Sequence, residues 1–120
     1  MRIFKNTWFN RFANKERILD EELREMVNWL EADQVDANLG GVVYKVRTAR
    51  PGEGKFGGYR VIVFFRSGER TFFYYGFPKS KIANISHKER KVFRETAKEY
   101  FSMTPEQIKE RIDLFDNLEI

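Results

Sequence analysis

Residues 44–60, with the sequence YKVRTARPGEGKFGGYR, read as a strand, a glycine-rich loop and a second strand. The alternation at the start of this stretch places Lys45 and Arg47 on one face of a strand, and Tyr44 and Val46 on the other. The connection is rich in glycine, which either supplies the positive φ angles of a hairpin loop or lets the backbone approach a phosphate closely. The stretch therefore predicts two neighbouring strands with a pair of cations on one sheet face.

The flanking sequence predicts an α+β fold with a small antiparallel sheet, two N-terminal helices packed on it and C-terminal helices. Thr7 and Asp20 are expected to cap the first two helices, whereas Ser86 and Thr104 each begin a capping box. The apolar run at 61–65 indicates a strand covered on both faces, or a central one. The remaining expectations are strands at 1–5, 42–48, 59–66 and 71–77, a turn at 38–41, a glycine-rich loop at 49–58 and an edge strand at 118–120.

Length and composition favour one domain. The 120 residues, of which 42% are apolar and 16% aromatic, suffice for one core. We expect a single domain over 1–120, with a core over about 1–101 and a helical extension over 102–120.

The chain has no cysteine, which fits a reducing cytoplasm, and neither a signal peptide nor a membrane span is recognisable.

Positive charge is concentrated in the middle of the chain. Residues 1–41 carry a net charge of −2, residues 42–81 carry +7, and residues 82–120 carry −1. Residues 42–60 alone hold five Lys/Arg and one Glu, so their net +4 equals the formal charge of the whole chain. Such a localised basic segment predicts an anionic partner.

Two other kinds of site find little support. Residues 52–57 match the dinucleotide-binding pattern G-x-G-x-x-G, but a strand pattern follows where that motif requires a helix. With His87 as the only histidine and no cysteine, a metal site would depend on carboxylates such as Asp33 and Asp36. We therefore expect no metal and no cofactor. His87 itself is either an ordinary surface residue or a general acid or base.

The chain resembles the RelE/ParE superfamily of toxins from bacterial type II toxin–antitoxin systems, and looks close to the HigB-type members. The likeness runs from about Asp36 to Phe93 and depends on the loop and the Gly-Phe-x-Lys segment together. The residues that carry it are Leu39-Gly40-Gly41, Tyr44-Lys45-Val46-Arg47, the segment 49–60 with Arg50, Lys55, Gly57, Gly58 and Arg60, Tyr75-Gly76-Phe77-x-Lys79, and Asn84-Ile85.

The resemblance implies a ribosome-dependent endoribonuclease that cuts messenger RNA by attack of the neighbouring 2′-hydroxyl, without a metal. It assigns the catalytic roles to Lys45, Arg47, Arg60 and Lys79. Arg60, which opens a strand, is expected to face a phosphate without entering the core. RelE has a tyrosine where this chain has residues 82–86, so Lys45, Tyr75 and His87 all remain candidates for the general base. The residues expected to contact RNA are Arg50, Lys55, Tyr59, Tyr75 and Lys81.

Two other functions compete with this interpretation. A ParE-like toxin would share the fold but inhibit gyrase, and a plain RNA-binding module would perform no chemistry. The full basic set favours the nuclease, because ParE-like proteins generally lack it.

The resemblance also implies partners, namely the ribosome with its messenger RNA and an antitoxin, which we expect to be a helix-turn-helix protein. We expect no membrane partner. We expect the antitoxin to bring acidic or apolar residues against the face that holds Lys45, Arg47, Arg60 and Lys79, or to block the access of that face to the ribosome. The alternative docking surface is the C-terminal segment with Ile108, Ile112 and Phe115.

Overall fold

The computed structural model describes residues 1–35, 37–50, 54–78, 85–114 and 117–120, and it has the predicted α+β fold. For residues 49, 50, 54–57 and 117 only the backbone is described. The elements are β1 (Arg2–Asn6), α1 (Thr7–Glu16), α2 (Asp20–Glu31), β2 (Ala37–Gly40), β3 (Val43–Arg50), β4 (Gly54–Arg66), β5 (Arg70–Pro78), α3 (His87–Phe101), α4 (Pro105–Asp113) and β6 (Asn117–Glu119).

The strands form one six-stranded sheet in the order β2-β3-β4-β5-β1-β6. All described pairings are antiparallel except that of β1 with β5, which is parallel. The predicted edge strand near the C-terminus is confirmed, since β6 pairs with β1. The three long strands β3, β4 and β5 are therefore neighbours inside the sheet, and none of them is an edge strand.

The sheet separates two apolar cores. Helices α1 and α2 cover one face, where Val46, Val61 and Val63 lie beneath Phe9 and Leu23. Helices α3 and α4 cover the opposite face, which we call the α3 face. There the buried core residues include Val43, Ile62, Phe64, Phe72, Ala97 and Ile108. The residues of the run 61–65 alternate between the two cores, which confirms a strand buried on both sides.

The first two helices begin differently from the prediction. Asn6, not Thr7, is the N-cap of α1, and its side-chain oxygen accepts a hydrogen bond from the Phe9 amide. Asp20 is the first helical residue of α2 rather than its N-cap, which is Leu19. The Asp20 carboxylate instead accepts a hydrogen bond of 2.8 Å from Lys5 Nζ on β1. Both capping boxes, at Ser86 and Thr104, are confirmed.

Two predicted connections are shorter than expected. Residues 38–40 belong to strand β2 instead of a turn, and the chain reverses at Gly41, where the backbone φ of +56° suits glycine. The predicted loop at 49–58 is also largely strand, because β3 extends to Arg50 and β4 begins at Gly54. Those two residues pair across the hairpin.

A bulge shapes the end of β5. Ile62 pairs with Tyr75 while the next residue of β4, Val63, pairs with Phe73, so Tyr74 is an extra residue. The bulge lets Tyr74 and Tyr75 both lie on the α3 face. Gly76 follows on the opposite face, where an added Cβ would lie 2.3 Å from a ring carbon of Phe12. Helix α1 can therefore pack directly on the β5 backbone.

The C-terminal segment packs against the rest of the chain. Ile108 of α4 is fully buried in the α3-face core. Arg2 of β1 donates two hydrogen bonds, of 2.9 and 3.0 Å, to the Glu119 carboxylate of β6. None of the helices in the described ranges has the length and apolar character needed to span a bilayer.

Candidate nucleic-acid interface

Three cations lie together on the α3 face of the sheet. On β3 the alternation places Lys45 and Arg47 on the same face as buried Val43, as predicted. Arg60 of β4 pairs directly with Arg47, and Ile62 pairs with Lys45. We call Lys45, Arg47 and Arg60 the basic face. Residues that pair directly across two strands have Cβ atoms about 4.5–5.5 Å apart, so Arg47 and Arg60 can both contact one phosphate.

Arg60 differs from the expectation of an exposed arginine. Its side chain is only 8% exposed, whereas Lys45 and Arg47 are half-buried. Arg60 pairs on its other side with buried Phe77 of β5, and its Nη1 donates a long hydrogen bond of 3.4 Å to its neighbour's carbonyl, Tyr59 O. A guanidinium held in this way keeps a fixed direction, and its charge is poorly screened by solvent.

Tyr75 lies beside this face, in the same cross-strand row as Lys45 and Ile62. It is half-buried, and its ring stacks on Trp8 of α1 with a centroid distance of 4.4 Å. Tyr75 also lines a cavity of about 390 Å³ against the first turns of α3, together with Val92 and Phe93. The structure therefore brings an aromatic side chain next to the cations.

Tyr59, which was expected to contact RNA, does not lie with these residues. It is 1% exposed on the opposite sheet face, under α1, and its hydroxyl donates a hydrogen bond to Glu16. The single-residue alternation that puts Arg60 on the α3 face puts Tyr59 on the other.

The other predicted site residues are described only in part. Lys79 and Lys81 lie outside the described residues. Arg50 and Lys55 lie on the paired ends of β3 and β4, in strands that carry the basic face, but their side chains are not described. His87 is exposed at the first position of α3, next to the capping residue Ser86.

One further partly buried cation, on α3, was missed by the sequence reasoning. Arg90 lies in the second turn of α3, on the side that packs on the sheet, as shown by Phe93 and Ala97 one and two turns further on. The signal was available in the sequence, because Arg90 continues the apolar stripe of Phe93, Ala97 and Tyr100 towards the helix N-terminus. A basic residue in an apolar stripe is easily mistaken for part of the solvated face.

The arrangement has the chemistry of a phosphate site. Arginine remains charged at any ordinary pH and offers several donors that match phosphate oxygens. The N-terminus of α3 also contributes partial positive charge. Within the described ranges no group of His, Asp and Glu side chains could hold a metal ion. The basic face can thus bind a polyanion and neutralise additional negative charge on a phosphate.

A family model described as the RelE toxin of the RelE/RelB toxin–antitoxin system matches residues 1–118. The match therefore includes the C-terminal elements as well as the sheet. No curated protein matches the chain.

Proposed function

The chain belongs to the RelE toxin family of toxin–antitoxin systems, and we propose that it cleaves messenger RNA on the translating ribosome. The observation that carries this proposal is the pairing of Arg47 with Arg60, beside Lys45, on one face of the sheet. Cleavage by a neighbouring 2′-hydroxyl passes through a phosphorane with extra negative charge, and fixed guanidinium groups stabilise such charge. The closer likeness to HigB-type members stays a prediction.

In the proposed mechanism the basic face binds the scissile phosphate, and Arg47 and Arg60 stabilise the phosphorane. Lys79 is proposed to complete the catalytic set. A general base removes the proton from the 2′-hydroxyl, and a general acid protonates the leaving 5′-oxygen. Lys45, Tyr75 and His87 remain the candidates for the base. Tyr75 lies in the same cross-strand row as Lys45, whereas His87 is exposed at the start of α3.

The proposal is tested by inducing the protein in cells and mapping the 5′ ends of messenger RNA. We expect new ends inside translated reading frames, and upstream fragments that carry a 2′,3′-cyclic or 3′ phosphate. Fragments with 3′-hydroxyl and 5′-phosphate ends would contradict attack by the 2′-hydroxyl. Intact messages together with arrested DNA replication would instead support gyrase inhibition.

The family also implies an antitoxin partner. We propose that this antitoxin is a helix-turn-helix protein and that it covers the basic face. The toxin is proposed to act in the cytoplasm, where ribosomes translate.

A further inference from the structure

Trp8 of α1 leaves a large part of its surface in solvent. The residue is 44% exposed, although its ring stacks on Phe12 at a centroid distance of 5.5 Å and on Tyr75 at 4.4 Å. These two contacts hold the indole in one orientation. A tryptophan that is both fixed and exposed offers aromatic surface to a partner at a low cost in conformational entropy.

A groove opens beside Trp8, between α1 and the end of β5. Its volume is about 440 Å³, and its lining includes Trp8, Arg11 and Lys15 of α1 and residues 75–78 of β5. The groove begins where β1 ends, since Lys5 is the last β1 residue paired with β5 in the described ranges. Helix α1 therefore forms the wall beside this part of β5.

The α1 wall of the groove carries two cations. Arg11 and Lys15 are exposed and stand four residues apart, so they lie on the same side of the helix as Trp8. Like charges at this spacing destabilise a helix. The acid in this wall, Glu16, accepts a hydrogen bond from the hydroxyl of buried Tyr59, and no carboxylate of the described residues forms an ion pair with either cation. This wall consequently favours an anionic ligand.

Tyr75 connects the groove with the basic face. It lines the groove, and it shares a cross-strand row with Ile62 and Lys45. Neighbouring strands lie about 4.8 Å apart, so β5 and β3 are separated by roughly 10 Å across this row. A short stretch of single-stranded RNA spans that distance and can contact the basic face and the groove at once.

We propose that the groove between α1 and β5 is a second RNA subsite, in which a base packs against the exposed part of Trp8 and the adjoining phosphates contact Arg11 and Lys15. Single-stranded RNA is bound in this manner, by cations that follow its backbone and aromatic rings that contact its bases. The inference deepens the proposed function and rests on it for the identity of the ligand as the RNA held at the basic face. Since the three cations of the basic face lie outside the groove, its role is to bind and position the strand.

The first test measures binding of a short 2′-O-methyl oligoribonucleotide, which lacks the attacking hydroxyl and so separates binding from cleavage. We expect Trp8→Leu to raise the Kd about tenfold, as for the loss of one base contact, and Trp8→Phe to bind nearly as tightly as the wild type. Arg11→Met should raise the Kd several-fold. Arg24→Met is its matched control and should have little effect, because Arg24 is exposed on α2, outside the groove. Arg11→Met also keeps the inference testable if Trp8→Leu disturbs the packing on Tyr75.

A second test observes the base directly through the fluorescence of the indole. The chain has two tryptophans, so Trp29→Phe leaves Trp8 as the only one. We expect the oligonucleotide to quench this fluorescence, because a base packs on the ring. Inorganic polyphosphate, which supplies negative charge without bases, should not quench it. Equal quenching by both ligands would overturn the inference.

Three other results would also overturn it. One is an equal affinity of Trp8→Leu, Arg11→Met and Arg24→Met for the oligonucleotide. Another is a failure of the wild type to bind the oligonucleotide. The third is a loss of antitoxin affinity in Trp8→Leu and Arg11→Met while their RNA affinity is unchanged, since the groove would then bind the antitoxin.

These outcomes are separable from those for the proposed function. If RNA binding depends on Trp8 and Arg11 but translated messages stay intact, the nuclease proposal fails and the inference stands. If messages are cut but the oligonucleotide leaves the fluorescence of Trp8 unchanged, the inference fails and the nuclease proposal stands.

Discussion

Arg60 carries a charge at a position that is almost closed to solvent. The side chain is 8% exposed and lies between Arg47 on one neighbouring strand and Phe77 on the other. A buried charged group is weak evidence for a role in stability, because taking it out of water is costly. Its retention there is consistent with a role in stabilising charge on a substrate.

We expect Arg60→Met to remove activity without unfolding the protein. Methionine keeps most of the buried aliphatic stem of the arginine. Arg60→Ala would instead leave a cavity, so that a loss of activity could not be told apart from a loss of stability. Losing one fixed donor to the phosphorane should lower the cleavage rate ~10²–10³-fold. Urea denaturation checks that the variant is still folded under the conditions of the assay.

Arg24→Met is the control for this experiment, since Arg24 is an exposed arginine on α2, across the sheet from the basic face. It should leave both the rate and the stability nearly unchanged. A folded Arg60→Met protein that cleaves as fast as Arg24→Met would remove Arg60 from the mechanism.

Reasoning from the sequence about single residues succeeded where the two-residue alternation of a strand is enough to assign a side chain to a sheet face. The alternation at 44–47 assigned Lys45 and Arg47 to one face correctly, because a strand has only two faces. The prediction that Arg60 stays outside the core was wrong, because the burial of this residue depends on Phe77 of β5 and on the helices that cover the sheet. The partial burial of Arg90 was out of reach for the same reason, because it depends on how α3 lies across the sheet.

At the level of elements, β1 joins the two ends of the chain. It pairs in parallel with β5 and antiparallel with β6. The Arg2–Glu119 ion pair spans β1 and β6, and its hydrogen bonds hold the pKa of the Glu119 carboxyl below its ordinary value. Because both side chains are substantially exposed, this pair is worth little in free energy, about 0–1 kcal/mol.

We expect Glu119→Gln to lower the free energy of unfolding slightly at neutral pH, by at most about 1 kcal/mol. A carboxyl whose pKa is lowered by folding stabilises the protein fully above its unfolded-state pKa. That contribution is lost as the pH falls through the lowered pKa. The difference between wild type and Glu119→Gln should therefore vanish in acid.

Denaturation with urea at several pH values measures this difference. Asp33→Asn serves as a control, since Asp33 is an exposed carboxylate. A Glu119→Gln effect that persists unchanged at the lowest pH would mean that the pair does not stabilise the β1–β6 contact through charge.

Most helices and strands could be predicted from the sequence, because helix-capping residues and the regular spacing of apolar residues are local signals. The capping boxes at Ser86 and Thr104 fixed the starts of α3 and α4. The short strand β2 was missed, since Asn38 and Gly40 are typical of turns and only pairing with β3 makes the segment a strand. Asp20 was misassigned for a similar reason, because Lys5 on a distant strand binds its carboxylate.

At the scale of the whole molecule, charge and apolar surface are distributed unequally. Residues 42–81 carry +7 between flanks of −2 and −1. The alternative docking surface at the C-terminus has less apolar area to offer than the sequence suggested, because Ile108 is fully buried and Ile112 is half-buried in the α3-face core. Phe115 lies outside the described residues. Truncation after Phe101 would therefore remove core packing as well as any docking surface.

The antitoxin should consequently associate through charge, and the rate of association should fall as salt is added. We expect Lys45→Ala with Arg47→Ala to lower the association rate and to flatten its salt dependence, because long-range attraction between opposite charges accelerates encounter. Stopped-flow mixing of the toxin with its cognate antitoxin at several ionic strengths measures this dependence. Arg24→Ala with Lys109→Ala is the matched control, since it removes the same charge from exposed positions on α2 and α4. If this control slows association while the basic-face variant does not, the antitoxin binds elsewhere, and inhibition of the toxin is steric rather than electrostatic.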